Sequence, residues 1–122
     1  MPVIQHYTNS SLRNFSYIIY CSKSKLAMIV DPFEGKSIES LLKNHGLTPT
    51  GIINTHEHWD HIGGNEYLKG KFKLEVIYAK NYMDAFEGIT RGVEHGDECK
   101  LGEDHYLRFL STPGHTESHL SV

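Results

Sequence analysis

Thr55-His56-Glu57-His58-Trp59-Asp60-His61-Ile62-Gly63-Gly64-Asn65 gathers three histidines and one aspartate into six consecutive positions. Imidazole and carboxylate together suit a borderline divalent ion, zinc first, with iron or manganese as other ions this donor set accepts. His56 and His58 lie two apart, so on an extended segment both rings point the same way and can reach one ion. Asp60 and His61 are adjacent in sequence and diverge from that pair. Two neighbouring ions therefore fit the spacing better than one, the first held by His56 and His58, the second by Asp60 and His61. A pair of ions about 3.5–4 Å apart lowers the pKa of a shared water toward neutrality and yields a hydroxide nucleophile at pH 7.

A fifth candidate ligand lies far along the chain. His115 sits in Thr112-Pro113-Gly114-His115-Thr116, where Pro113 and Gly114 predict a tight turn after a strand. A third nitrogen at the first ion would complete an open site of the catalytic type, three protein ligands plus water. His119, four residues on, is a candidate for orienting a ligand, as is Asp31 at the end of an apolar run. His6, His45, His95 and His105 lack ligand-like neighbours. Ser10, Ser11 and the thiols of Cys21 and Cys99 show no nucleophile–base pattern, so acyl transfer through a serine or cysteine is not expected.

The elements that must position these groups follow from periodicity. Val3–Thr8, Phe15–Tyr20 and Leu26–Val30 read as three strands in an antiparallel meander. Lys36–His45 reads as a helix with Ile38, Leu41 and Leu42 on one face and Gly46 as its stop. Gly51–Thr55 is the next strand. Strand, helix and strand make a βαβ unit with a parallel crossover, and ligands collect at the carboxyl ends of such strands. The histidine cluster begins at one of these ends, and Gly63 and Gly64 would let the following backbone pass close to the ions. Asn65–Phe72 reads as a short helix and Leu74–Tyr78 as a strand. Asn81–Phe86 reads as a helical turn, Gly88–Gly102 as irregular loop and Tyr106–Ser111 as a strand. No repeat or linker divides the chain, so 1–122 is one expected domain.

Composition bounds the rest. The chain has 122 residues, 39% hydrophobic and 22% charged, which is that of a globular domain. A net charge of −3 gives no reason to expect a nucleic-acid surface, and Lys69, Lys71 and Lys73 read as a solvated rim. The two cysteines make neither a disulfide framework nor a zinc knuckle and read as free, buried thiols. The amino terminus turns polar at once, without a secretory pattern, and no apolar run is long enough to span a membrane; the expected location is the cytoplasm.

Four segments together carry a resemblance: Val30-Asp31-Pro32, the stretch from Thr55 to Asn65, Val93-Glu94-His95-Gly96-Asp97, and Ser111-Thr112-Pro113-Gly114-His115-Thr116. In this order they resemble the metallo-β-lactamase-fold superfamily and, within it, the glyoxalase II (hydroxyacylglutathione hydrolase) group. The resemblance covers almost the whole chain. It implies an α/β protein with an αββα sandwich and metals at one edge. His56, His58 and His115 would hold one zinc, and Asp60 and His61 would help hold the other. The implied reaction is hydrolysis of a small-molecule thioester, such as an acylated glutathione, by a metal-activated hydroxide, with Asp60 also accepting a proton. Ser118 stands where the family has glycine. The family's bridging aspartate, its last histidine ligand and its glutathione-binding residues come after Val122, so the resemblance implies a domain incomplete at its carboxyl end. On the same fold, a mononuclear iron persulfide dioxygenase and an inactive metal-binding fragment are the alternatives.

Overall fold

The computed structural model describes residues 3–7, 15–55, 62–80, 88–101, 105–111 and 120–121. Its centre is a sheet whose strands lie in chain order: β1 (Val3–Tyr7), β2 (Phe15–Tyr20), β3 (Leu26–Val30), β4 (Thr48–Ile53), β5 (Glu75–Ala79) and β6 (Arg91–Val93). The first three pair antiparallel, as a meander of short apolar runs joined by polar turns should. From β3 onward the pairing is parallel, Val30 opposite Ile53 and Ile53 opposite Ile77. The switch comes where the helix α1 (Gly35–Asn44) replaces a tight turn, because a parallel return needs a long crossover. A second helix, α2 (Asn65–Lys71), lies between β4 and β5 in the chain.

Strand alternation splits the core in two. Ala27, Ile29, Ile52 and Val76 turn to one face and pack with Ile38 and Leu42 of α1 and Leu68 of α2. Met28, Val30, Ile53 and Ile77 turn to the other and pack with Cys99, Leu101, Leu107 and Phe109. Cys99, Leu101 and Leu107 come from the antiparallel pair β7 (Glu98–Leu101) and β8 (His105–Arg108), and Phe109 directly follows it. A short pair, β9 (Leu110–Ser111) with β10 (Leu120–Ser121), follows.

Several elements depart from the sequence expectation. Gly88–Gly102, expected as irregular loop, contains β6 and β7; β6 is only three residues long and owes its state to its pairing with β5. The strand expected over Tyr106–Ser111 is interrupted at Phe109. This residue is fully buried, and its N–H donates to the Asp97 carbonyl while its carbonyl accepts from Gly96 N–H. β4 starts at Thr48, earlier than expected, and takes in Pro49 at a register shift opposite Ala27 and Met28; an irregularity is where a strand tolerates a residue without an N–H. The expected helical turn at Asn81–Phe86 lies outside the described residues.

The stop of α1 is as read. Gly46 has φ +64, its N–H donates to Lys43 O and that of Leu47 to Leu42 O, which closes the helix in a Schellman arrangement. Both cysteines are free and buried. Burial pushes the Cys99 thiol up despite the nearby Arg91, so it stays protonated and unreactive at neutral pH.

The two helices meet where α1 begins. Tyr67 of α2 donates its hydroxyl to Glu39 Oε1 at 2.6 Å, and this bond to a carboxylate raises the phenol's pKa. Beneath the ring, a Cβ on buried Gly35 would stand 2.8 Å from Cβ and Cγ of Tyr67. Gly35→Ala is therefore expected to push the helices apart and destabilise the fold by about 1–3 kcal/mol. Urea unfolding checks this, and an unchanged midpoint would contradict it.

Candidate metal site

Among the described residues, the buried polar or charged side chains are Ser16, Asp31, Asn54, Thr55 and Asn65. Hydrogen bonds link them into two groups at the carboxyl ends of β3 and β4. Burying polar groups is unfavourable unless each finds a partner, so a cluster of this kind in an otherwise apolar core marks a built feature.

Asp31 is its first member. It leaves β3 with φ 51, a left-handed conformation that aspartate tolerates better than most residues. Its N–H donates to the Ile53 carbonyl at 3.0 Å, which carries the β3–β4 pairing one residue further. The carboxylate faces Thr55: Oδ1 accepts the Thr55 N–H at 2.7 Å, and Oδ2 accepts the Thr55 hydroxyl. Ser16, fully buried on β2, fixes the other side. Its hydroxyl donates to the Asp31 carbonyl at 2.7 Å and accepts the Phe33 N–H at 3.3 Å. A charged acceptor with two donors aimed at it is a strong local restraint. The residue it holds, Thr55, directly precedes His56.

The far side of the motif is held as firmly. Gly64 donates its N–H to the Pro32 carbonyl at 2.8 Å. A Cβ at Gly64 would lie 3.1 Å from the Cβ and carbonyl oxygen of Pro32 and 3.2 Å from the Gly35 nitrogen. At this glycine the backbone approaches the Pro32–Gly35 turn closely. Asn65, the first residue of α2, donates Nδ2 to Asn54 Oδ1 at 2.7 Å, and Asn54 Nδ2 donates back to Asn65 Oδ1 at 3.4 Å. The Asn54 N–H is itself fixed by the Ile77 carbonyl of β5.

The expected ligands His56, His58, Asp60, His61 and His115, with His119, lie outside the described residues. What the structure establishes is the frame on both sides of positions 56–61. Asp31, a candidate for orienting a ligand, acts on the backbone and hydroxyl of Thr55. Sequence reasoning carried Thr55 and Asn65 only as the ends of the motif and gave no role to Ser16 or Asn54. The available signal was polar residues directly against an apolar strand, Asn54-Thr55 after Ile52-Ile53. The donor set suits a divalent metal by its chemistry, and the frame suits it by rigidity, since ligands hold a metal tightly when the groups behind them are themselves fixed.

The chain's likeness to known proteins matches this geometry. Residues 12–122 match the family model of the metallo-beta-lactamase superfamily. The hydroxyacylglutathione hydrolase of Nitrosococcus oceani is 38% identical over 122 residues, all of this chain and 46% of that protein. The cytoplasmic hydroxyacylglutathione hydrolase of Arabidopsis thaliana is 34% identical over 88% of this chain and 42% of its own length. Among solved structures, that of ETHE1 from Myxococcus xanthus superposes with a TM-score of 0.81 at 27% identity, over 98% of this chain and 52% of that one. The chain thus spans about half the length of the curated relatives it matches. A mixed sheet with helices on one face and an antiparallel strand pair on the other, and a polar frame around H-x-H-x-D-H, agree with the family match in placing this chain in the metallo-beta-lactamase superfamily.

Proposed function

We propose that the chain carries the first part of the active site of a metal-dependent hydrolase acting on a small-molecule thioester, such as an acylated glutathione. The observation that supports this most is the buried polar frame, Asp31 on Thr55 and Asn54 on Asn65, on the two sides of a motif whose side chains are all suited to a divalent ion. The curated relatives named hydroxyacylglutathione hydrolase support the substrate class. His56, His58 and His115 hold one ion, and Asp60 and His61 help hold a second, with zinc as the expected metal. When bound, such a pair supplies Lewis acidity and a water of lowered pKa. Asp60 is also the proposed acceptor of a proton during hydrolysis. The activity is proposed for the intact protein, since the relatives are about twice as long as this chain. The cytoplasm is the proposed location, supported by the Arabidopsis relative's name; no helix among the described residues is long and apolar enough to cross a membrane.

Metal analysis of the purified intact protein, together with an S-acylglutathione hydrolysis assay, tests this reading. Two zinc ions per chain and hydrolysis are expected. A single iron with no hydrolysis would overturn it in favour of the dioxygenase alternative, and no metal at all would favour the inactive fragment.

A further inference from the structure

We propose that the Asn54–Asn65 amide pair is a positioning clasp that ties the entry of the H-x-H-x-D-H loop to its exit and so sets its metal affinity. The inference rests on the metal-site reading above. Both side chains are buried, Asn54 fully and Asn65 at 5% exposure, and their amides face each other in a reciprocal pair. Stability alone gives little reason for such a pair. Two buried amides give up their hydration on folding, and an apolar pair of similar size could take their place at little cost. What an apolar pair would lack is direction. The Asn65 Nδ2 to Asn54 Oδ1 bond ties the first residue of α2 to the residue that follows β4, in one orientation.

The other restraints on this segment act differently. Asp31 grips Thr55 and Pro32 grips Gly64, so each ties one end of the loop to the β3 exit. Among the described residues, the asparagine pair joins the two ends to each other through side chains, across eleven positions of sequence. His56, His58, Asp60 and His61 all lie within that closed segment. Their donors must meet the ions with little freedom, and groups that fix ligands from behind typically change metal affinity by about 10–100-fold.

The test uses the intact protein in four variants: Asn54→Ala, Asn65→Ala, the double alanine, and the double Asn54→Leu/Asn65→Leu. Zinc affinity is measured by competition with a chromophoric chelator, and the stability of the metal-free protein by urea unfolding. Each single alanine variant is expected to weaken zinc binding by about 10-fold or more. The double alanine variant should be no weaker than the worse single one, because the two residues act as a unit. The leucine pair, which restores packing without amides, should keep metal-free stability near that of the parent and still bind zinc weakly. Zinc affinity at the parent level in the leucine pair would overturn the proposal, as would single effects that simply add. A parent protein that binds no zinc overturns the metal-site reading itself, a result distinct from unmoved variants of a zinc-binding parent.

Discussion

His58→Ala is expected to cut thioester hydrolysis by the intact protein by more than about 100-fold. Removing a group that merely orients a ligand costs about 10–100-fold, so removing a ligand should cost more. On the proposed reading His58 shares its ion with His56 and His115, and two remaining nitrogens hold zinc poorly. Steady-state hydrolysis and zinc content should fall together. Full activity in a zinc-depleted variant would separate the motif from the reaction.

Asp31 gives the second large effect, and its two substitutions should differ. Asp31→Asn keeps the left-handed backbone at φ 51 accessible, since asparagine is among the residues that tolerate it. The amide can still accept the Thr55 N–H through Oδ1 and donate its N–H to the Thr55 hydroxyl, so what is lost is the charge of the acceptor, about 1 kcal/mol. Asp31→Ala loses both bonds and adds about 1–2 kcal/mol for a Cβ-bearing, non-polar residue in that conformation. The expected order of urea stability is parent, Asp31→Asn, Asp31→Ala. Activity should fall in both variants, because Thr55 directly precedes His56. Equal stability of the two variants would show that the backbone conformation contributes nothing.

The parts of the fold written in local periodicity were the parts legible in the sequence. β1 to β3 are apolar, β-branched and aromatic runs between polar turns, and α1 has Ile38 and Leu42 on one face before Gly46. The parallel switch followed from element order alone. β6 was hidden because Arg91-Gly92-Val93 has no strand pattern of its own; Gly92 is a poor strand residue, and only pairing with Ile77 and Ala79 fixes it. β7 was hidden by brevity, although Cys99 and Leu101 do alternate with exposed Glu98 and Lys100. The break at Phe109 depends on bonds to Gly96 and Asp97, which no local pattern records.

At the site, the proposed metal ligands were conspicuous because histidine pairs at short spacing are rare and chemically specific. The frame behind them was not, for a physical reason. Asparagine, threonine and serine near a strand end usually satisfy a turn. Their role here depends on Asp31 reaching Thr55 across 24 positions, and on Ser16 reaching Asp31 across 15. Gly64 also makes room for Pro32, a neighbour that only the folded chain supplies.

Anomalous diffraction from crystals of the zinc-loaded intact protein, recorded at the zinc edge, tests the central claim most directly. The account predicts two peaks about 3.5–4 Å apart. One should lie about 2.0–2.1 Å from ring nitrogens of His56, His58 and His115, and the other should be bonded to Asp60 and His61. A single peak, or peaks away from these five residues, would contradict it.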